Sequence, residues 1–311
     1  MPGSFPAGAP TISGNTLSIS RFLQSPQYIA RRLRDFRDLR FVSDQMLTQR
    51  FRSQGGAVLY EQSEPFVSDR SAESVGPGSE YPYANLPTGT AAVAAIQKWG
   101  QKVLLTDEEI ARNQYQGAAS DRAMRKVVNS VISQVDSITM STLASTVTQT
   151  FNVTSTGGGV WTGATPTILR DIFRARAIPL ALNLGYNIDT LVVNDVQYAY
   201  MLTDTGISNL LRRETTDNPI YTGQLDMLGS LKVIVSPNLP SQTAYLLDSQ
   251  QLGGMADEVD GAPGYSVSDL AVQIKAIRKD DQDAWDLQGR RKTVPVIQEP
   301  GAAVKLTNIG I

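Results

Sequence analysis

Neither cysteine nor histidine occurs anywhere in the sequence. Without cysteine there is no disulfide framework and no four-cysteine zinc site. Without histidine the common zinc sites, haem ligation by His, and Cys–His or Ser–His–Asp nucleophile systems go as well. Acid–base chemistry near neutral pH loses its usual carrier. Paired carboxylates, Lys or Tyr stay available, but no catalytic, cofactor-binding or metal-binding set of residues stands out. Long apolar runs are also missing. No stretch approaches about 18 uninterrupted apolar residues, so no membrane span or membrane partner is expected. The opening "MPGSFPAGAPTISGNT" has no basic leader and no apolar core, so it is not read as a signal peptide. "NVT" at Asn152 fits a glycosylation pattern and is read as chance.

Charge is scarce in total but unevenly placed. The formal net charge is −2, which gives the whole chain no pull on nucleic acid. Residues 1–52 hold eight Arg against three Asp, a local charge of about +5. Five of those arginines, Arg31, Arg32, Arg34, Arg37 and Arg40, crowd a segment whose Ile29, Leu33, Phe36 and Leu39 predict a short helix around 26–40. Residues 53–97 reverse the sign: Arg70 stands against Glu61, Glu64, Asp69, Glu73 and Glu80, about −4. The arginines fit phosphate contact, a solvated face balanced by Asp35 and Asp38, or pairing with the acidic segment of another subunit. Subunit pairing is preferred, because complementary charge steers encounter and register.

Residues 1–20, rich in Pro, Gly, Ser and Thr, read as an extended arm. In 53–97, strand-like runs at Ala57–Tyr60 and Ala91–Ile96 flank a long middle punctuated by "GPG", an excursion out on one strand and back on another. "KWGQKVLLTDEEIARNQ" then runs from a strand, Trp99–Leu105, into a helix start. Thr106 and Glu109 form a capping box, and Asp107 and Glu108 suit the positive end of the helix. Ile110, Met124, Val127, Val128, Val131, Ile132, Val135 and Ile138 continue the stripe. With no proline from Thr106 to Gln149, the pattern predicts one helix of about forty residues, several times the globular mean. Gly117 is its weak point, costing about 1 kcal/mol against Ala.

"NVTSTGGGVWTGAT" (152–165) reads as a flexible linker; no "GK[ST]" follows its glycines, so it is no phosphate loop. A helix follows at Pro166–Leu182, with Ile168, Ile172, Phe173 and Ile178 on its apolar side. Strands are expected at Thr190–Val193, Leu231–Ser236 and Thr243–Asp248, with short helices in "DVQYAYMLTD" and "GISNLLRRE". Three closing strands are expected at Leu270–Arg278, Arg291–Ile297 and Ala302–Thr307. "KDDQDAWD" gathers Asp280, Asp281, Asp283 and Asp286; a solvated hairpin turn is preferred to a cation site, since the closing Glu and glycine of a calcium loop are missing.

In this order the motifs resemble the tailed-bacteriophage major capsid proteins of the Hong Kong 97-type fold. "KWGQKVLLTDEEIARN" is similar to the family's strand-to-spine-helix junction, and "AWDLQGRRKTVPVIQEPGAAVKLTNI" to its closing strands. The resemblance covers essentially the whole chain and implies an α+β fold. It divides the chain into an N-terminal arm (1–52), an extended E-loop hairpin (53–97), a peripheral domain with a long spine helix (98–160 with 262–311) and an axial α/β domain (161–261). It implies a structural protein, not an enzyme, without cofactors. Such a protein assembles into pentamers and hexamers of an icosahedral head around double-stranded DNA, which it contacts nonspecifically. Scaffold, portal and decoration proteins are the implied partners, and the phage head, built in the bacterial cytoplasm, the implied location. Some family members link an E-loop lysine covalently to a neighbour's asparagine; here no lysine precedes Lys98, so noncovalent contacts are expected instead. An encapsulin-like compartment shell is the alternative, and a carboxylate-based hydrolase a more distant one.

Overall fold

The computed structural model describes residues 41–63, 65, 68–112, 118–155, 157, 159–204, 206–207, 225–258, 263–267 and 271–310. In chain order the elements are helix α1 (Val42–Met46), strands β1 (Gln49–Arg52), β2 (Ala57–Gln62), β3 (Thr90–Ala95) and β4 (Gln97–Thr106), helices α2 (Asp107–Arg112) and α3 (Ala118–Thr146), strand β5 (Gln149–Asn152) and helix α4 (Ile168–Ala181). Then follow β6 (Thr190–Val193), α5 (Asp195–Thr203), β7 (Met227–Leu228), β8 (Leu231–Val235), β9 (Thr243–Leu247), β10 (Gly253–Asp257), β11 (Ser266–Val267), β12 (Gln273–Lys279), β13 (Ala284–Ile297) and β14 (Ala303–Thr307).

Two compact units divide these elements. One takes in Lys98–Ile132 and Val259–Lys292; the other Phe41–Gln97, Ser133–Glu258 and Thr293–Ile311. Helix α3 and strand β13 contribute residues to both.

In the first unit β12 and the leading half of β13 form an antiparallel hairpin, with β11 beyond β12 and β4 paired to β13. Its turn is the aspartate-rich "KDDQD", so the hairpin reading of that stretch is the correct one. Asp283 takes a positive φ of 43° there, a conformation that Asp tolerates better than most residues. The sheet packs closely on α3: a Cβ added at Gly289 would run into the Val127 side chain.

In the second unit a six-stranded sheet runs β5-β14-β9-β6-β8-β7. Strand β6, all four residues buried, lies inside it, parallel to β8 and antiparallel to β9. That burial on both faces explains why "TLVV" reads as an unbroken apolar run. Helix α4 lies against β14, β5 and β9, burying Ile168, Asp171, Ile172, Ala175 and Pro179, a spacing that follows one helical face. Phe173, assigned to that face from sequence, is about half exposed; it sits one residue, about 100°, around the helix from Ile172.

Also in this unit, β10 pairs parallel with β1 and antiparallel with the trailing half of β13. Gly253 and Gly254 make that approach feasible. A Cβ at Gly254 would fall on the Gln49 carbonyl, and one at Gly253 on the Val296 carbonyl. We expect Gly254→Ala to lower the free energy of unfolding by about 2 kcal/mol, since backbone must shift to admit the methyl; urea unfolding of the purified subunit measures it.

Several sequence expectations are corrected. The predicted forty-residue helix is described as α2 and, after residues 113–117 that lie outside the description, α3 of 29 residues. Its end comes at Thr146, because Gln149–Asn152 instead extends to pair with β14 and bury Phe151. The supposed linker 152–165 is anchored: Trp161 is buried, and its indole N–H donates to Asp171 Oδ2 at 3.3 Å. The strand expected at Arg291–Ile297 begins at Ala284 and spans 14 residues. The helix expected around 26–40 lies outside the described residues, as does most of "GISNLLRRE".

Candidate assembly interface

The junction in "LLTDEE" is built as its residues dictate. Thr106 ends β4, and its hydroxyl accepts from the Glu109 N–H at 3.3 Å, capping α2. Asp107 does more than favour the helix dipole. Its two oxygens accept from the Arg278 guanidinium at 2.6 and 2.7 Å, a bidentate pair across 171 residues of sequence. Arg278 also meets Asp280 at 3.1 Å and Asp283 at 3.6 Å, and its guanidinium stacks 5.6 Å from the Trp285 ring. The hydrogen bonds to Arg278 hold Asp107 below the usual carboxylate range. The acids of the "KDDQD" turn thus serve an arginine. Among the described residues no group of His, Cys, Asp or Glu is arranged to hold a metal ion, and no helix is long and apolar enough to cross a membrane.

Strands β2 and β3 form a two-stranded sheet of their own. Register sets Leu59 opposite Val93, flanked by Ala57 opposite Ala95 and Glu61 opposite Ala91. Alternation puts these six on one face, and all six are exposed, Leu59 at 74% and Val93 at 67%. Between the strands, Tyr81, Tyr83 and Leu86 are at least 80% exposed. An isolated two-stranded ribbon is marginal in water, and burying side chains of this size is worth about 1.5–3 kcal/mol each.

The candidate acidic residues all lie in this segment. Glu61 and Glu80 are exposed. Asp69 accepts from the backbone N–H and side-chain amide of Asn85, each at 2.8 Å, which ties the two limbs of the excursion together. Glu73 pairs with Arg70 at 2.8 Å. Glu64 lies outside the described residues, as do Arg31, Arg32, Arg34, Arg37 and Arg40.

One residue of consequence escaped the sequence reading. Asp136 sits within the apolar stripe of α3, 4% exposed. Its Oδ2 accepts from the Val42 N–H at 3.1 Å and its Oδ1 from the Ser43 N–H at 3.0 Å. Helix α1 has no side-chain cap of its own at Phe41, and Asp136 supplies one from 94 residues away. The chain is thereby pinned where it leaves residues 1–40. Burial raises the Asp136 carboxyl above its ordinary range, with the nearby Asp44 charge a lesser contributor, and the two N–H donors oppose the shift. A lone acid in a helical stripe was the available signal; its partner was not.

The long helix, the closing strands and the separate hairpin define the α+β Hong Kong 97-type capsid fold. Residues 89–306 match the family of phage capsid proteins, and the chain belongs to that family. No curated protein matches the sequence. Among solved structures the chain is similar to the capsid of the cyanophage P-SCSP1u, with a TM-score of 0.63 at 13% identity over 96% of this chain and 92% of that one. A virus-like particle from Pyrococcus furiosus gives 0.56 at 12% identity over 88% and 95%. The capsid of an empty GTA particle, computed with C5 symmetry, gives 0.55 at 9% identity over 97% and 94%. The chain is thus a structural protein of a bacteriophage virion.

Proposed function

We propose that this chain is the major subunit of an icosahedral phage head. It assembles in the host cytoplasm into pentamers and hexamers that enclose double-stranded DNA. The observation that carries the reading is the β2–β3 ribbon, with its exposed Leu59–Val93 face, in a chain of the phage capsid family. In this reading residues 53–97 form the E-loop that reaches a neighbouring subunit, and residues 1–52 the arm. Residues 98–160 with 262–311 form the peripheral domain, and 161–261 the axial domain. DNA is met nonspecifically, and scaffold, portal and decoration proteins complete the particle.

The arm arginines and the loop acids Glu61, Glu64, Asp69, Glu73 and Glu80 pair between subunits, because opposite charge speeds and registers encounter. Reversing Arg31, Arg32 and Arg34 together to Glu is expected to cut shell yield at least about tenfold, while circular dichroism and the melting curve of the free subunit stay unchanged. Unchanged yield of shells by electron microscopy removes the charge-pairing argument. An encapsulin-like compartment shell is the second reading, since a virus-like particle shares the fold. Nuclease-protected double-stranded DNA in purified particles favours the phage head; enclosed protein without DNA favours the compartment.

A further inference from the structure

The sheet of the first unit has one face on α3 and one turned away from it. Gly289 and its partner Ile274 lie on the α3 side, next to Val127. Alternation therefore puts Lys275, Lys279, Asp286 and Arg290 on the other side. Strand β4 runs beside Gly289 and Arg290, along the edge of β13 opposite β12. Lys102 Nζ, 3.4 Å from Asp286 Oδ2, marks the same side, and Lys98, four residues earlier in β4, shares it. At these positions four lysines and an arginine stand against one carboxylate. Asp286, 4% exposed, is shared by Lys102 at 3.4 Å and Lys279 at 3.3 Å, so it offsets one lysine charge of the two. Lys275 and Arg290 lie over the Tyr265 ring, 5.5 and 3.9 Å from its centre, where the π face favours cations side by side. Lys98 is exposed and has no partner among the described residues.

Gathering like charge on one face burdens the free subunit with repulsion, which an anionic surface relieves. Four-residue steps separate Lys98 from Lys102, and Lys275 from Lys279, by about 13 Å along their strands, and β4 and β12 lie about 10 Å apart across β13. Charges spread in this way suit a polyanion of regular spacing, and double-stranded DNA carries one charge per about 1.7 Å of its axis. The acidic segment 53–97 suits the face less well. Asp69 and Glu73 are engaged within that segment, and Glu61 is the lone acid on the exposed face of the β2–β3 ribbon. We propose that the sheet face turned away from α3 is where this chain meets the phosphate backbone of DNA, with Lys98, Lys102, Lys275 and Lys279 as its contacts. The inference rests on the reading of a DNA-filled head and gives the nonspecific DNA contact a location. Lysine to phosphate carries no sequence information, as packaging of a whole genome requires. The chain's net charge of −2 conceals the face, because the acids lie elsewhere.

The test has two arms. In the first, nuclease-treated wild-type particles are treated with formaldehyde, which joins lysine amines to DNA, and the DNA-bound peptides are identified by mass spectrometry. Peptides with Lys98, Lys102, Lys275 or Lys279 are expected to carry DNA at least about fivefold more often than those with Lys126 of α3 or Lys232 of β8, which are also exposed. In the second, binding of a short DNA duplex to the unassembled subunit is followed by fluorescence anisotropy across a salt series. Lys98→Gln with Lys275→Gln is expected to weaken binding at least about tenfold at low salt and to reduce the slope of log K against log salt by about 1.8, the value for two phosphates. Lys98→Gln alone, at an exposed position, is expected to reduce the slope by about 0.9, and Lys126→Gln to leave it unchanged. DNA-filled particles whose cross-links favour Lys126 or Lys232, or fall evenly on all lysines, overturn the inference and leave the head reading standing. So do variants that bind the duplex with the wild-type slope. Carbodiimide coupling of Lys98 or Lys102 to Glu61 or Glu80 of an isotope-labelled second copy in the same particles gives the face to a neighbouring subunit and overturns the DNA assignment. Particles that hold no DNA reject the head reading, and this inference with it.

Discussion

Leu59→Glu with Val93→Glu is expected to abolish shell formation and leave the subunit folded. The two side chains face each other across the ribbon at 74% and 67% exposure, so a solvated charge there costs the isolated subunit little. In an assembled contact the same charges would be buried without partners. Each apolar side chain forgoes about 1.5–3 kcal/mol of burial, and an unpaired charge at an interface adds several more. Multiplied over the many copies of a closed shell, that difference is decisive, and a drop of at least a hundredfold in particle yield is expected. Glu61 opposite Ala91, on the same face, already shows that charge is accommodated in the free ribbon. Sedimentation of equal amounts of wild-type and variant protein after assembly, with circular dichroism of the slow fraction, makes the comparison. Variant shells at wild-type yield would mean that this face is not an assembly contact.

Asp136→Ala is the change expected to damage the subunit itself most. It removes both acceptors of the Val42 and Ser43 N–H groups in a buried setting. Orphaning buried donors costs about 1–3 kcal/mol each, so a loss of about 3 kcal/mol is expected. The cut should be felt first at Phe41–Met46, the segment that Asp136 holds. Hydrogen exchange should show faster exchange at Val42 and Ser43 before any other segment opens. The pH dependence has a definite sign. The Asp136 carboxyl is raised in the folded chain, chiefly by burial, so the folded state binds that proton more tightly than the unfolded one. Its contribution to stability therefore falls as pH rises from the ordinary carboxylate range through the raised value, and is level above it. Asp136→Asn keeps one acceptor and removes this part of the slope. Identical pH–stability curves for wild type and Asp136→Asn would contradict the assignment.

What was legible in the sequence was local. Thr106 and Glu109, three residues apart, announced the start of α2, and the alternation and turn residues of 53–97 announced an excursion on two strands. Strand β6 showed as a short apolar run because both its faces are covered. What escaped depends on partners far along the chain. Asp136 looks like an interruption of an apolar stripe until Val42 and Ser43 are brought to it. Strand β10 carries a weak signal because Gly253 and Gly254 lie against the Val296 and Gln49 carbonyls, and glycine reads as turn. Trp161 hid in a glycine-rich stretch whose anchor, Asp171, belongs to the next helix. Among the candidate assembly residues the charge split between the first 52 residues and the next 45 was plain. The exposed Leu59–Val93 face was not, since composition does not tell a buried ribbon from an unpartnered one.

The central claim is that copies of this chain close into a DNA-filled head. Electron microscopy of particles purified from cells expressing the chain with candidate portal and scaffold proteins, after nuclease treatment, tests it directly. The account predicts closed icosahedral shells with five- and six-fold capsomers and protected double-stranded DNA inside. Subunits that stay monomeric at high concentration with those partners present, or particles that hold protein and no DNA, would contradict it.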